Sequence, residues 1–233
     1  MSRINLSCNQ KSSELSEFFF LEEIMYNPED LRTLSIKPKI NDIDLPILKD
    51  FYTMYLMPFI YTYTITSGET TRQIQLRFDD IRLCHLLGLE SIATDHVKYK
   101  ELSQYRGKNG WNSIESGNLT FKHLKALNQK KFKSVKAKFV YFYLIPDLLE
   151  KPFGVIFDKE KVNPPVRIES EILFYSAYEN AVIHLGIDKE NETEFYYPRS
   201  FFVEKLGKDN VDDKYTINQT IITVKKEYRT ITA

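Results

Sequence analysis

The sequence predicts an α+β fold: N-terminal helices and a hairpin, then a helical insert, then an antiparallel sheet. Three observations carry that expectation. Ile60 to Thr66 and Thr71 to Phe78 alternate β-branched and aromatic residues with polar ones around Ser67-Gly68-Glu69, which is the signature of a β-hairpin. The stretch 91–150 reads helical, and after Pro152 the pattern returns to strand formers. Helices and strands therefore come in blocks, which disfavours a βαβ array.

Taken in order, Ser12 to Tyr26 is expected as a first helix, capped by Ser12 or Ser13, with Leu15, Phe18, Phe19 and Glu22 on a helical period. Pro46 to Phe59 is a second, with proline in its first turn and Leu48, Phe51, Tyr52, Tyr55 and Leu56 on one side. After the hairpin, Asp79 or Asp80 is placed to cap a short helix over Ile81–Leu87 that Gly88 ends. Gly107 to Gly110 and Trp111 are expected in a loop. Leu119–Gln129 and Lys133–Leu149 are expected as helices, the latter broken near Pro146. Strands are expected at Phe153–Phe157, Arg167–Tyr175, Ala181–Ile187, Glu194–Tyr197 and Gln219–Tyr228, with Glu179-Asn180 as a turn. The expected organisation is a helical extension over 1–44 and one α+β domain over 45–233, with the insert spanning about 91–150.

The 233 residues suffice for a core without disulfides or metal, and 42% hydrophobic content excludes a disordered tail. Basic and acidic residues balance at 32 each, so any polyanion site must be local. Two cysteines, Cys8 and Cys84, are too few for a disulfide framework or a cysteine zinc site. No run of about 18 apolar residues is present to span a membrane. A soluble cytoplasmic protein is expected, with no membrane association.

Arg82-Leu-Cys-His-Leu-Leu-Gly88 is the first stretch with chemical potential. Arg82 lies three residues before His85, on the same helical face. A neutral imidazole can take a proton from a ribose hydroxyl while a guanidinium holds a phosphate. The plainer reading packs His85 in the core and leaves Arg82 in solvent. A lysine run comprising Lys122, Lys125, Lys130, Lys131, Lys133, Lys136 and Lys138 is the second, in a segment without acidic residues from Ser116 through Pro146. Beside Phe132, Phe139 and Tyr141 it suits RNA binding, and it equally suits a solvated helix face. In Tyr197-Pro-Arg-Ser-Phe-Phe202 the proline marks a strand exit. Arg199 and Ser200 on the following turn would then grip a phosphate, or the aromatics would simply anchor a strand end. The histidines form no metal-ligand pattern, and phosphate loops, hydrolase elbows and dinucleotide fingerprints are absent. Asp79-Asp80 is better explained as a helix cap than as a magnesium site.

Leu76-Arg-Phe…Arg82-Leu-Cys-His-Leu-Leu-Gly-Leu89, then Ala181-Val-Ile-His-Leu-Gly-Ile187, Tyr197-Pro-Arg-Ser-Phe-Phe202 and Lys214-Tyr-Thr-Ile-Asn-Gln219 follow one another in an order that resembles the phage-associated barnase–EndoU–colicin–RelE-like nucleases. The resemblance covers roughly Asp50 to Tyr228. It implies a metal-independent endoribonuclease, without cofactor, in which the 2′-hydroxyl attacks its own phosphodiester. His85 would do acid–base work. Arg82, Arg199 and Ser200 would hold the phosphate, and Gln219 would complete the pocket. His184, Tyr63 and Tyr197 are open as the second acid–base group. Such a protein would be a toxin or a phage or defence effector acting on RNA such as tRNA, with an antitoxin or regulator as partner. The alternative is a non-catalytic RNA- or protein-binding module on the same scaffold, or a structural phage protein.

Overall fold

The computed structural model describes residues 25–207 and 212–231. The helix expected over Ser12–Tyr26 lies outside them except for Met25 and Tyr26, which are not helical. A short helix α1 (Pro28–Thr33) follows, closed at its start by a capping box between Asn27 and Asp30. The second expected helix is present as α2 (Leu45–Tyr55). The Asp44 carboxylate accepts the Ile47 N–H at 2.8 Å, so capping starts it one residue early.

Strands β1 (Phe59–Ser67) and β2 (Thr70–Arg77) form the expected hairpin, with Tyr61, Tyr63, Ile65, Ile74 and Leu76 buried. A single 3₁₀ turn (Asp80–Arg82) runs into α3 (Leu83–Leu87). No side chain caps that turn; the Asp79 carbonyl does the work by accepting the Arg82 N–H. Gly88, at φ 73°, ends α3 in a left-handed conformation that suits glycine and starts α4 (Leu89–Ala93) in a new direction.

Residues 107–111, expected as a loop, instead form the start of helix α5 (Gly107–Glu115). The two glycines obscure a helical face made by Gly110, Trp111 and Ile114, all buried. Gly110 is there for close approach, since a Cβ would come 2.7 Å from Cys84 Sγ. Helices α6 (Phe121–Leu127), α7 (Gln129–Tyr141) and α8 (Ile145–Glu150) complete the helical block, with Pro146 opening α8 rather than breaking α7.

Strands β3 (Phe153–Ile156), β4 (Ile172–Tyr178), β5 (Ala181–Lys189) and β6 (Phe195–Lys205) form the antiparallel meander. The sheet is not open. β7 (Thr220–Ile231) pairs antiparallel with both β3 and β1, and β2 meets β6 in a short parallel pairing, so seven strands close in the order β1-β2-β6-β5-β4-β3-β7. Closure pairs strand edges that an open sheet would leave exposed. A second correction concerns Pro198. It does not end the strand, because β6 runs on to Lys205, and the register shift against Gly186/Ile187 accommodates Pro198 and Arg199 as an irregularity within the sheet.

One core joins both blocks, from Leu31 and Ile43 through α2, α3 and α7 to Ile183, Leu185 and Phe201. At its centre the Tyr52 ring packs near Phe78, Trp111 and Phe142, and its hydroxyl donates to the Asp79 carbonyl at 2.8 Å. A smaller cluster around Val155, Phe157, Leu173 and Tyr215 covers the sheet's other side. Among the described residues, no helix is long and apolar enough to cross a membrane. Removing the Tyr52 hydroxyl loses one hydrogen bond while the Asp79 carbonyl keeps the Arg82 N–H, a net cost of about 0.5–1.5 kcal/mol. Tyr52→Phe should therefore lower stability by that order, read as a reduced urea midpoint with an unchanged slope.

Candidate functional site

The turn after β2, helix α3 and the irregular stretch of β6 enclose a cleft of about 610 Å³. It is lined by Arg82, His85 and Arg199, with Glu90, Arg106, Lys108 and Tyr197 on the remaining walls. Three of the five expected catalytic residues thus share one cavity. Ser200 lines a smaller adjoining cavity of about 290 Å³ with His85, Gly88, Ser91 and Lys138. Its hydroxyl lies 3.2 Å from that of Ser170. Gln219 joins neither cavity. Its amide accepts the Asp158 N–H at 2.8 Å and donates to the Asp158 carbonyl at 2.9 Å, fixing the start of β7 to the end of β3.

His85 is exposed to solvent in the cleft. Desolvation by the surrounding walls, then the Lys138 charge, lowers its pKa from 6.5, against a backbone hydrogen bond at Arg199 and the Glu90 carboxylate, which raise it. The imidazole is therefore mainly neutral at pH 7 and able to accept a proton. Cys84, the preceding residue, is fully buried, and its thiol is pushed up to about 12, so it is no nucleophile.

Arg82 lies over the Tyr197 ring, its guanidinium carbon 3.8 Å from the centroid. Its partners Glu190 and Asp79 are at 3.6 and 3.8 Å, long for ion pairs. Burial raises the Asp79 pKa even against the Arg82 charge. Arg199 is more tightly committed: Nη1 donates to Asp188 at 2.8 Å and Nη2 to Glu169 at 3.0 Å. Arg106 pairs with Glu90 at 2.9 Å, and Lys108 with Asp80.

Lys138 is expected as a member of the lysine run, but not beside His85. It projects from α7 toward Gly88, half-buried, and has no ion pair among the described residues. Burial and then the Lys131 charge lower its pKa to about 8. The sequence signal for it was the seven-residue step from Lys131, which puts both lysines on one helical face. The carboxylates Glu169 and Asp188 were missed as well. The period of two along β5 puts Asp188 on the same face as His184 and Gly186, but nothing local ties Glu169 to Arg199.

Of the three residues open as a second acid–base group, Tyr197 alone lines the cleft. Tyr63 is fully buried and donates to the Leu149 carbonyl at 2.8 Å. His184 is fully buried, with Nε2 2.7 Å from Asp213 and its ring stacked on Phe202. Among the described residues, no three His, Cys, Asp or Glu side chains gather as metal ligands. The other six lysines expected to bind RNA, Lys122, Lys125, Lys130, Lys131, Lys133 and Lys136, are all exposed, and none forms an ion pair among the described residues.

A family model described as phage-Barnase-EndoU-ColicinE5/D-RelE like nuclease4 matches residues 49–232. The chain belongs to this nuclease family. The match runs from α2 through the helical block to the last strand, so the α3 cleft and the lysine-bearing helices are both within it. No curated protein and no solved structure matches the chain. His85 borders both cavities and Lys138 the smaller one, and the Lys138 charge lowers the His85 pKa. Lys138→Met should raise the His85 pKa, read by NMR titration of the imidazole Cε1 proton; an unmoved midpoint would separate the two groups.

Proposed function

We propose that this member of the nuclease family is a metal-independent endoribonuclease working in the His85 cleft. The observation that carries the reading is the convergence of Arg82, His85 and Arg199 on one cavity of a nuclease-family chain. His85, largely neutral, removes the proton of a ribose 2′-hydroxyl. The 2′-oxygen bonds to the adjacent phosphorus while the bond to the leaving 5′-oxygen breaks. The products are a 2′,3′-cyclic phosphate and a 5′-hydroxyl. The leaving oxygen needs a proton, and Lys138, protonated at pH 7, is the group in the adjoining cavity able to give one or to neutralise the charge building on phosphorus. Arg82, held against Tyr197 and only loosely paired, is the better phosphate anchor of the two arginines. Ser200 is a hydrogen-bonding group at the same junction. The unpaired lysines of α6 and α7 supply the field that attracts RNA, with a structured RNA such as tRNA as substrate. The biological setting that fits is a toxin or phage-defence effector in the cytoplasm, restrained by an antitoxin or regulatory protein.

One observation favours the second reading, a non-catalytic RNA- or protein-binding module. Arg199 is already held between Asp188 and Glu169, so substrate phosphate must displace a carboxylate to use it. Cleavage decides between the two. Purified protein should cut RNA in EDTA and leave 2′,3′-cyclic phosphate ends, and His85→Ala should slow it by about 10²–10⁴-fold. RNA left intact after prolonged incubation would favour the binding module.

The two lowered pKa values also set a pH profile. A base must be neutral, so kcat/KM should rise with pH through a midpoint below 6.5. An acid must be protonated, so the rate should fall again through about 8, where Lys138 loses its proton. Lys138→Met should abolish that alkaline limb.

A further inference from the structure

A cavity of about 760 Å³, larger than the His85 cleft, forms a groove on another flank of α7. Its walls are the segment joining α1 to α2, one face of α7 and the end of β6. Five lysines line it: Lys37, Lys39, Lys133, Lys136 and Lys205. All five are exposed, and none forms an ion pair among the described residues. Glu204 is the single acidic side chain on the walls, and it already has Lys214 at 3.5 Å. In a chain of zero net charge this is a strongly one-sided concentration of ammonium groups. Like charges gathered around one hollow repel one another, and a polyanion laid along it relieves that repulsion.

The groove also indicates what part of a nucleic acid it takes. Tyr141, its one aromatic side chain, is buried, and the Lys37 ammonium lies over its ring at 5.2 Å. No aromatic face is left for a base to stack on, so the groove offers its hydrogen bonds and charge to phosphates, which carry no sequence information. Helix α7 links this groove to the nuclease cleft. Lys133 and Lys136 face the groove, while Lys138, on the same helix, reaches the cavity beside His85.

We propose that the groove is a phosphate-backbone track holding the flanking part of an RNA strand whose scissile segment lies beside His85. The proposal rests on the ribonuclease reading, and binding can be measured apart from cleavage. Fluorescence anisotropy with labelled single-stranded RNAs of two unrelated sequences would be used on the full chain, in a His85→Ala background so that no strand is cut. Lys37→Gln/Lys39→Gln/Lys205→Gln should weaken binding at least tenfold for both sequences. It should also flatten the dependence of log K on log salt by about 2, at about 0.7 for each phosphate left without its lysine on a single strand. Lys189→Gln, a lysine paired with Glu194 away from the groove, should change neither quantity. An unchanged affinity and slope in the triple variant would overturn the track, as would a loss confined to one of the two sequences. The two failures are distinct. If the His85→Ala chain cleaves RNA as fast as the parent, the reading of the cleft falls while the binding result stands.

Discussion

The Asp79 carbonyl at the exit of β2 accepts two hydrogen bonds, from the Tyr52 hydroxyl and from the Arg82 N–H. The first ties the strand end to α2 through a ring at the centre of the aromatic core. The second begins the turn that carries Arg82 and then His85. A carbonyl has two acceptor sites, and here both are used to aim one short segment. Gly88 then turns the chain so that Glu90 and Ser91 come round the other side of the imidazole. The position of the candidate base is therefore set by packing far below the cleft. The short helix α3 has too few residues to be stable alone, and the core holds it in place.

Charge in the cleft is arranged unevenly. Every arginine on its walls has a carboxylate within ion-pair distance, whereas Lys138 has none among the described residues. Matched arginines are positioned but restrained, and engaging a phosphate means exchanging one anion for another. The unmatched lysine is the opposite case. Partial burial without a partner lowers its affinity for a proton, which gives it the chemistry of an acid near neutral pH. Lys138 and His85 lie on different helices, yet the charge on the first weakens the hold of the second on its proton.

Much of this was legible in the sequence where local pattern and burial agree. The hairpin shows as strict alternation, and Arg82 and His85 as neighbours on one helical face. Pro198 misled because it removes a ladder donor, and the register shift that absorbs it depends on β5, which local reading does not see. Gly107 and Gly110 misled for a related reason: their composition signals a turn, while the close packing of α5 on Cys84 calls for a residue without a side chain. Gln219 was placed at the mouth of a strand correctly, but its amide is spent on the Asp158 backbone. Barrel closure leaves little trace, since it rests on two pairings between residues more than a hundred positions apart.

That closure has a consequence for how the molecule is made. β1 emerges early, but its second neighbour is β7, and β3 waits for the same strand. A chain still on the ribosome and short of residue 220 therefore carries two unsatisfied sheet margins at once. They are open to pairing with other chains until the last strand arrives. Only when residues 220–231 have been made can both margins close.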